Sequence, residues 1–214
     1  MGLKEDEATA WASKKVVARA AVVFVARFLG LTKGGGNTAL SAADLDRWVD
    51  IVRAVSWVES RHGTGTGQQP ARDPMQCGNP NDTWWKELTG QTAVSDRFVR
   101  GPSLSNLYAH ELPAAADAAA GFDAAASLSK LGGDKKKGHD VAAFAPEHSY
   151  FWGVPILVHK ANTAAGDKTY QCGALDRARL VRGARGYNGN GDADYETKIT
   201  AALDLFDGLP DLVA

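Results

Sequence analysis

Glu59 is the residue best placed to do chemistry. On a wheel of 100° per residue it falls within about 40° of Trp48, Val52 and Val55. It therefore shares the apolar stripe of a helix, close to that helix's last turn. A carboxyl there is partly withdrawn from water and lies at the negative end of the helix dipole, and both effects favour its protonated form. An acid kept protonated near neutrality can give its proton to a glycosidic oxygen. The plainer readings are a frayed helix end in water, or an ion pair with Arg61.

The elements that position Glu59 can be read on either side of it. Ser41 is a good N-cap, with Asp44 three residues on, and Leu45, Trp48, Val49, Val52 and Val55 continue at helical spacing. Gly63, Gly65 and Gly67 are expected to stop this helix. From His62 to about Pro80 the chain is rich in turn residues, which predicts a long loop or a small β-excursion. Residues 7–31 read as one Ala- and Val-rich helix that ends before Gly34-Gly35-Gly36. Further helices are expected at Trp84-Trp85, over Pro113 to Leu131, within 139–172, over Leu175 to Val181 and from Tyr195 to about Leu205. A loop is expected between Gly183 and Asp194. No repeat or low-complexity linker divides the chain, so the prediction is one mainly α domain over residues 1–214.

Several short pieces recur in order around this acid: Glu59-Ser60, a glycine-containing loop from Gly63 to Asp73, Met75-Gln76, and Tyr187-Asn188-Gly189 ahead of a last helix. The set resembles the goose-type lysozymes and soluble lytic transglycosylases of the lysozyme-like superfamily. The Ala-rich stretch around Ala119-Gly121-Phe122 looks like the helix those families carry between the two motifs. The resemblance spans roughly residues 45–205 and is dense only at the motifs. It departs at Pro74, where a glycine is usual, at Asn190-Gly191-Asp192, and over residues 139–172, which look like an insertion.

The resemblance implies a lysozyme-like helical fold, and residues 1–40 are expected to pack on it as a helix and a glycine loop. It also implies cleavage of peptidoglycan between N-acetylmuramic acid and N-acetylglucosamine. Glu59 would be the general acid. Ser60, Met75 and Gln76 would line the substrate side of the loop, and Tyr187 and Asn188 would steady the sugar from the opposite wall. Taken alone, Gln76 reads equally well as a loop amide bonded to its own backbone. A second carboxylate decides between hydrolysis and closure of an anhydro ring by the substrate's own hydroxyl. Asp73 is the first candidate, with Asp192, Asp194 and Glu147 behind it, and the choice of reaction stays open.

Other constellations are weaker. Asn188, Asn190, Asp192 and Asp194 alternate like calcium ligands, but Ala193 and Ile199 stand where an EF-hand loop needs glycine and glutamate. The five histidines lack metal-binding spacing, and no phosphate-binding or dinucleotide loop occurs, so no metal or cofactor is expected. Cys77 could pair with His148 or His159 as a nucleophile, although its neighbours carry no such signature. Cys77 and Cys172, the only cysteines, could instead be bridged in an oxidising compartment.

Composition limits the partners. The 214 residues are 44% hydrophobic and 23% charged, with a formal net charge of −1, as in an ordinary globular protein. There is no basic excess to attract nucleic acid. The most apolar run, Ala20 to Ala26, falls far short of the roughly 20 residues that span a bilayer. The polar, acidic N-terminus does not read as a secretory signal. A wall enzyme of this kind would be made in the cytoplasm and act in the periplasm or wall of a target bacterium. The delivery expected is that of an antibacterial type VI secretion effector, with an immunity protein plugging the cleft. A phage endolysin, a chitinase or chitosanase, and a non-catalytic helical binding protein are the rival readings.

Overall fold

The computed structural model describes residues 2–32, 40–67, 69–78, 146–166, 175–189 and 191–206. These form six helices and no strand: α1 (Leu3–Ala12), α2 (Lys15–Thr32), α3 (Ala42–Ser60), α4 (Pro146–Ala164), α5 (Arg177–Tyr187) and α6 (Tyr195–Phe206). The fold is thus mainly α. Helix α4 packs on α2 and α5, and α3 packs on α2, α5 and α6. No helix among the described residues is long and apolar enough to cross a membrane.

Helix α3 forms as its sequence dictates. Ser41 Oγ accepts the Asp44 amide at 3.1 Å, satisfying one of the free N–H groups of the first turn. The predicted stripe is buried, with Trp48, Val52 and Val55 almost wholly out of water. The stop differs from expectation. Helix α3 ends at Ser60, and the turn is made by Arg61 and His62, both left-handed at φ 51° and 55°, ahead of the first glycine. Such backbone costs a non-glycine residue of order 1–3 kcal/mol and persists only where its surroundings fix it. Residues 61–67 and 69–78 follow as turns and irregular chain, with no strand among them.

Two further expectations are corrected, at the N-terminus and at the end of α5. The single N-terminal helix is two, broken at Ser13-Lys14, where Ser13 Oγ bonds the Ala10 carbonyl and competes with the helix ladder. Its only buried side chains on α1 are Glu7 and Trp11. Within 139–172, where helix was expected, Pro146–Ala164 forms the core helix α4. Tyr150, Phe151, Trp152, Val154, Leu157 and Val158 are buried around its circumference, as in a helix enclosed on all sides. Helix α5 runs six residues beyond the expected Val181, through Gly183 and Gly186. At Gly183 the reason is close packing: a Cβ there would lie 2.3 Å from Ala161 Cα on α4. The helices expected at Trp84-Trp85 and over 113–131 lie outside the described residues.

Candidate active site

Glu59 sits at the last turn of α3, with its carboxyl turned toward the chain between α5 and α6. The Tyr195 hydroxyl, on the first residue of α6, donates to Glu59 Oε1 at 2.7 Å. The Asn188 side chain, just past α5, also hydrogen-bonds the carboxyl. Burial is the larger effect and raises the Glu59 pKa above the ordinary carboxylate value. The two hydrogen bonds oppose it, and the nearby charges of Asp73 and Asp192 add to the rise. The expected direction is therefore what the structure gives, with desolvation as its main cause. Arg61 makes no ion pair with Glu59. Its guanidinium lies over the Trp57 ring, 5.7 Å from the centroid.

Asp73 is fully buried, and both of its oxygens are engaged. Oδ1 accepts Ser149 Oγ at 2.6 Å and the Cys77 amide at 3.2 Å, while Oδ2 accepts the Gly78 amide at 2.8 Å. A carboxylate bonded in this way is an anchor for the loop 73–78 on α4, with no lone pair turned to solvent. Ser149 Oγ in turn accepts the Met75 amide at 2.9 Å. Met75 is wholly buried, and its carbonyl accepts the Tyr187 hydroxyl at 2.7 Å. Gly153 leaves the room for this contact, since a Cβ there would come within 2.8 Å of Met75 Cβ.

Ser60 is buried as well. Its hydroxyl donates to the Pro74 carbonyl at 2.8 Å and accepts the Gly63 amide at 2.9 Å, tying the turn to the loop. Gln76 is left-handed at φ 51°, and its Nε2 donates to the Asp73 carbonyl at 2.6 Å. Of the residues expected to hold substrate, only Asn188 touches the Glu59 carboxyl. Ser60 lines the same hollow as Glu59, while Met75, Gln76 and Tyr187 lie outside its lining. Asp192 accepts Lys198 Nζ at 2.5 Å, and its amide donates to Asn188 Oδ1 at 2.9 Å, which turns the Asn188 NH2 toward Glu59. Of the other carboxylates considered, the side chain of Glu147 is outside the description.

Two alternatives can be weighed on geometry. Cys77 is a free, buried thiol that donates to Asp73 and to the Ser149 carbonyl. Burial and the Asp73 charge push its pKa well up, which disfavours the thiolate a nucleophile needs. Cys172 lies outside the described residues. No group of three or more His, Cys, Asp or Glu side chains among the described residues could hold a metal ion.

A second polar cluster, which the sequence did not reveal, lies behind the α3 terminus. Glu7 of α1 is fully buried and accepts Arg53 Nε at 2.7 Å and His62 Nε2 at 2.8 Å. His62 Nδ1 meets Ser56 Oγ at 3.1 Å, and Ser56 Oγ meets the Tyr150 hydroxyl at 2.8 Å. The His62 ring lies between Trp11 and Trp57, at 5.0 and 5.3 Å between centroids. Ser56, His62 and Glu7 have the order of a nucleophile–base–acid relay. Ser56 is fully buried, however, and no substrate reaches it. The cluster instead fixes the left-handed turn at His62 and holds α1 against α3.

Glu59 borders an open groove of about 350 Å³ between the end of α3, α6 and Leu3 of α1. Trp57, Arg61 and Lys198 also line it. Sequence reasoning passed over Tyr195, whose importance comes from a contact made across the fold, and over Trp57, and it weighed Arg61 only as an ion-pair partner of Glu59. In comparisons with family models, curated proteins and solved structures, the chain matches none.

Proposed function

We propose that this chain cleaves the glycan strand of peptidoglycan, with Glu59 as the general acid, on a lysozyme-like helical scaffold. The observation that carries the reading is a carboxyl at the rim of a groove whose pKa is raised by burial and whose orientation is fixed by Tyr195 and Asn188. Burial keeps the proton available, and the two donors aim the carboxyl and stabilise the anion left after proton transfer. The ordered motifs Glu59-Ser60, Met75-Gln76 and Tyr187-Asn188-Gly189 supply the choice of substrate.

The reaction begins with proton transfer from Glu59 to the glycosidic oxygen between N-acetylmuramic acid and N-acetylglucosamine. The bond to the leaving sugar breaks, and an oxocarbenium-like centre develops at the muramyl anomeric carbon. Asp73, the first candidate for a base, has both oxygens committed to the loop. Asp192 is tied to Lys198. With Asp73 and Asp192 so committed, and Asp194 exposed just ahead of α6, the reading adopted is attack by the sugar's own C6 hydroxyl, with Glu59 as carboxylate taking up that hydroxyl's proton. An anhydromuramyl end results, as in a lytic transglycosylase. An antibacterial effector with this activity would require a cognate immunity protein in the producing cell, seated over the groove at Glu59.

Digestion of purified sacculi by the wild type and by Glu59→Gln, with mass spectrometry of the fragments, tests the proposal. Gln keeps the shape of Glu and cannot supply the proton. Anhydro-ended muropeptides from the wild type alone are the expected result. Reducing ends would mean hydrolysis and a base elsewhere in the chain. Equal release by both proteins, or none by either, would refute the acid role and bring the non-catalytic binding reading forward.

A further inference from the structure

The groove at Glu59 continues. A second hollow of about 360 Å³ shares Leu3, Trp57 and Arg61 with the first and runs on past Thr9 and Thr64. Arg61 therefore stands where the two meet, on the wall next to the acid. Three features hold it there. Its backbone is left-handed, its guanidinium lies over the face of Trp57, and Gly65 leaves the space its stem occupies, since a Cβ on Gly65 would meet Arg61 Cγ at 3.1 Å.

The charges around it single Arg61 out. Lys198, the other cation of the first hollow, is bonded to Asp192. Arg53 is bonded to Glu7 behind the groove. Arg61 has no carboxylate partner among the described residues, although Asp6 lines the far hollow and Glu59 the near one. A guanidinium stacked on an indole, with its N–H edge unpaired among the described residues, is suited to receive a planar carboxylate in bidentate fashion.

We propose that Arg61 is a specificity residue that binds a carboxylate on the muramyl side chain of the substrate, so that the groove selects muramyl glycans over uncharged chitin-type strands. The carboxylate has two sources, the lactyl ether of a peptide-free strand and the stem peptide of a substituted one. The identity of the sugar rests on the function proposed above, and the role of Arg61 as an anion receptor rests on the groove itself.

The test is calorimetric titration of the full chain carrying Glu59→Gln, which prevents turnover, with and without Arg61→Gln. The probes are a peptide-free muramyl tetrasaccharide, its peptide-bearing counterpart, and chitotetraose. Arg61→Gln should weaken binding of an acidic probe by about tenfold, the loss of one charge-assisted pair, and leave chitotetraose unchanged. Arg61→Lys should recover part of the affinity. Loss with the peptide-free probe identifies the lactyl carboxylate, and loss with the peptide-bearing probe alone identifies the stem. Equal binding of all three by both proteins, or of none, overturns the proposal. An unchanged melting temperature for Arg61→Gln shows that the fold is intact. If sacculi are digested and Arg61→Gln binds normally, only the Arg61 role fails. If Arg61 discriminates but no glycan is cleaved, the anion site stands without the acid chemistry.

Discussion

Tyr195→Phe removes one hydroxyl and nothing else, and its consequences follow from a single contact. In the native protein that hydroxyl donates to Glu59 Oε1 at 2.7 Å from a side chain almost wholly buried. A hydrogen bond to a charged acceptor contributes about 1.5–3 kcal/mol, and one to a neutral acceptor about 0.5–1.5 kcal/mol. The substitution therefore costs more where Glu59 is ionised than where it is protonated. Burial already raises the Glu59 pKa above its ordinary value of 4.5. A group of this kind favours the folded state at low pH, and that contribution is lost as pH rises through the folded pKa. Taking away a donor that stabilises the anion moves the folded pKa further up. The melting-temperature gap between wild type and Tyr195→Phe should be small in acid and should widen above the Glu59 titration. For a loss of about 1.5 kcal/mol in a chain of this size the gap reaches about 3–6 °C. The alkaline limb of the activity profile should shift to higher pH, with a lower kcat at the optimum because the carboxyl has lost one of its two guides. Scanning calorimetry across pH, together with sacculus turnover, reads both effects. A gap that does not change with pH, combined with an unmoved alkaline limb, would refute the reasoning.

Other predictions probe the supports of the site. Gly183→Ala drives a Cβ to 2.3 Å from Ala161 Cα and should destabilise the protein by about 2–4 kcal/mol in denaturant titration, with α4 and α5 forced apart. Glu7→Gln breaks a buried pair with Arg53 and His62 and should cost about 3–5 kcal/mol. Native Glu7 and His62 both have folded pKa values lowered from 4.5 and 6.5. The stability tied to His62 is complete above 6.5 and falls as pH drops through its folded pKa; that of Glu7 is complete above 4.5 and falls likewise. Hydrogen exchange should accordingly show α1 opening first on acidification, and uniform exchange of α1 and α3 would count against it. Asp73→Asn should weaken the loop 73–78 by about 1–3 kcal/mol while leaving measurable glycan cleavage. A fully folded Asp73→Asn chain with no activity would instead restore Asp73 as a base.

Local chemistry in the sequence carried α3 well. The Ser41 cap, the Asp44 amide and the buried stripe from Leu45 to Val55 are short-range features, and so is the placement of Glu59 on that stripe. What closes the site is long-range. Tyr195 lies 136 residues from the carboxyl it holds, and Glu7 lies 55 from His62. No spacing rule connects such pairs. Glycine was the other source of error, because the residue serves two physical purposes. At Gly183 it permits α4 and α5 to approach, and a reading that treats glycine as a turn ends α5 too early. The turn after Glu59 shows the converse, with Arg61 and His62 entering the left-handed region before any glycine. The break between α1 and α2 has neither glycine nor proline to announce it.

These long-range contacts explain how a carboxyl at a helix terminus can be held firmly enough for the acid role proposed for it. A last turn normally frays, because its carbonyls have no partners within the helix. Here the last two turns of α3 are gripped from four directions. Arg53 reaches Glu7 on α1, Ser56 reaches Tyr150 on α4, Ser60 reaches Pro74 in the loop, and Glu59 reaches Tyr195 on α6. The strained turn at Arg61 and His62 persists because His62 is bonded at both ring nitrogens and enclosed by two indoles. The same strain sets Arg61 over Trp57 at the groove. Helix α1, which buries only Glu7 and Trp11, is thus a support of the candidate site. Loosening it would free the His62 turn, and with it the wall on which the groove beside Glu59 depends.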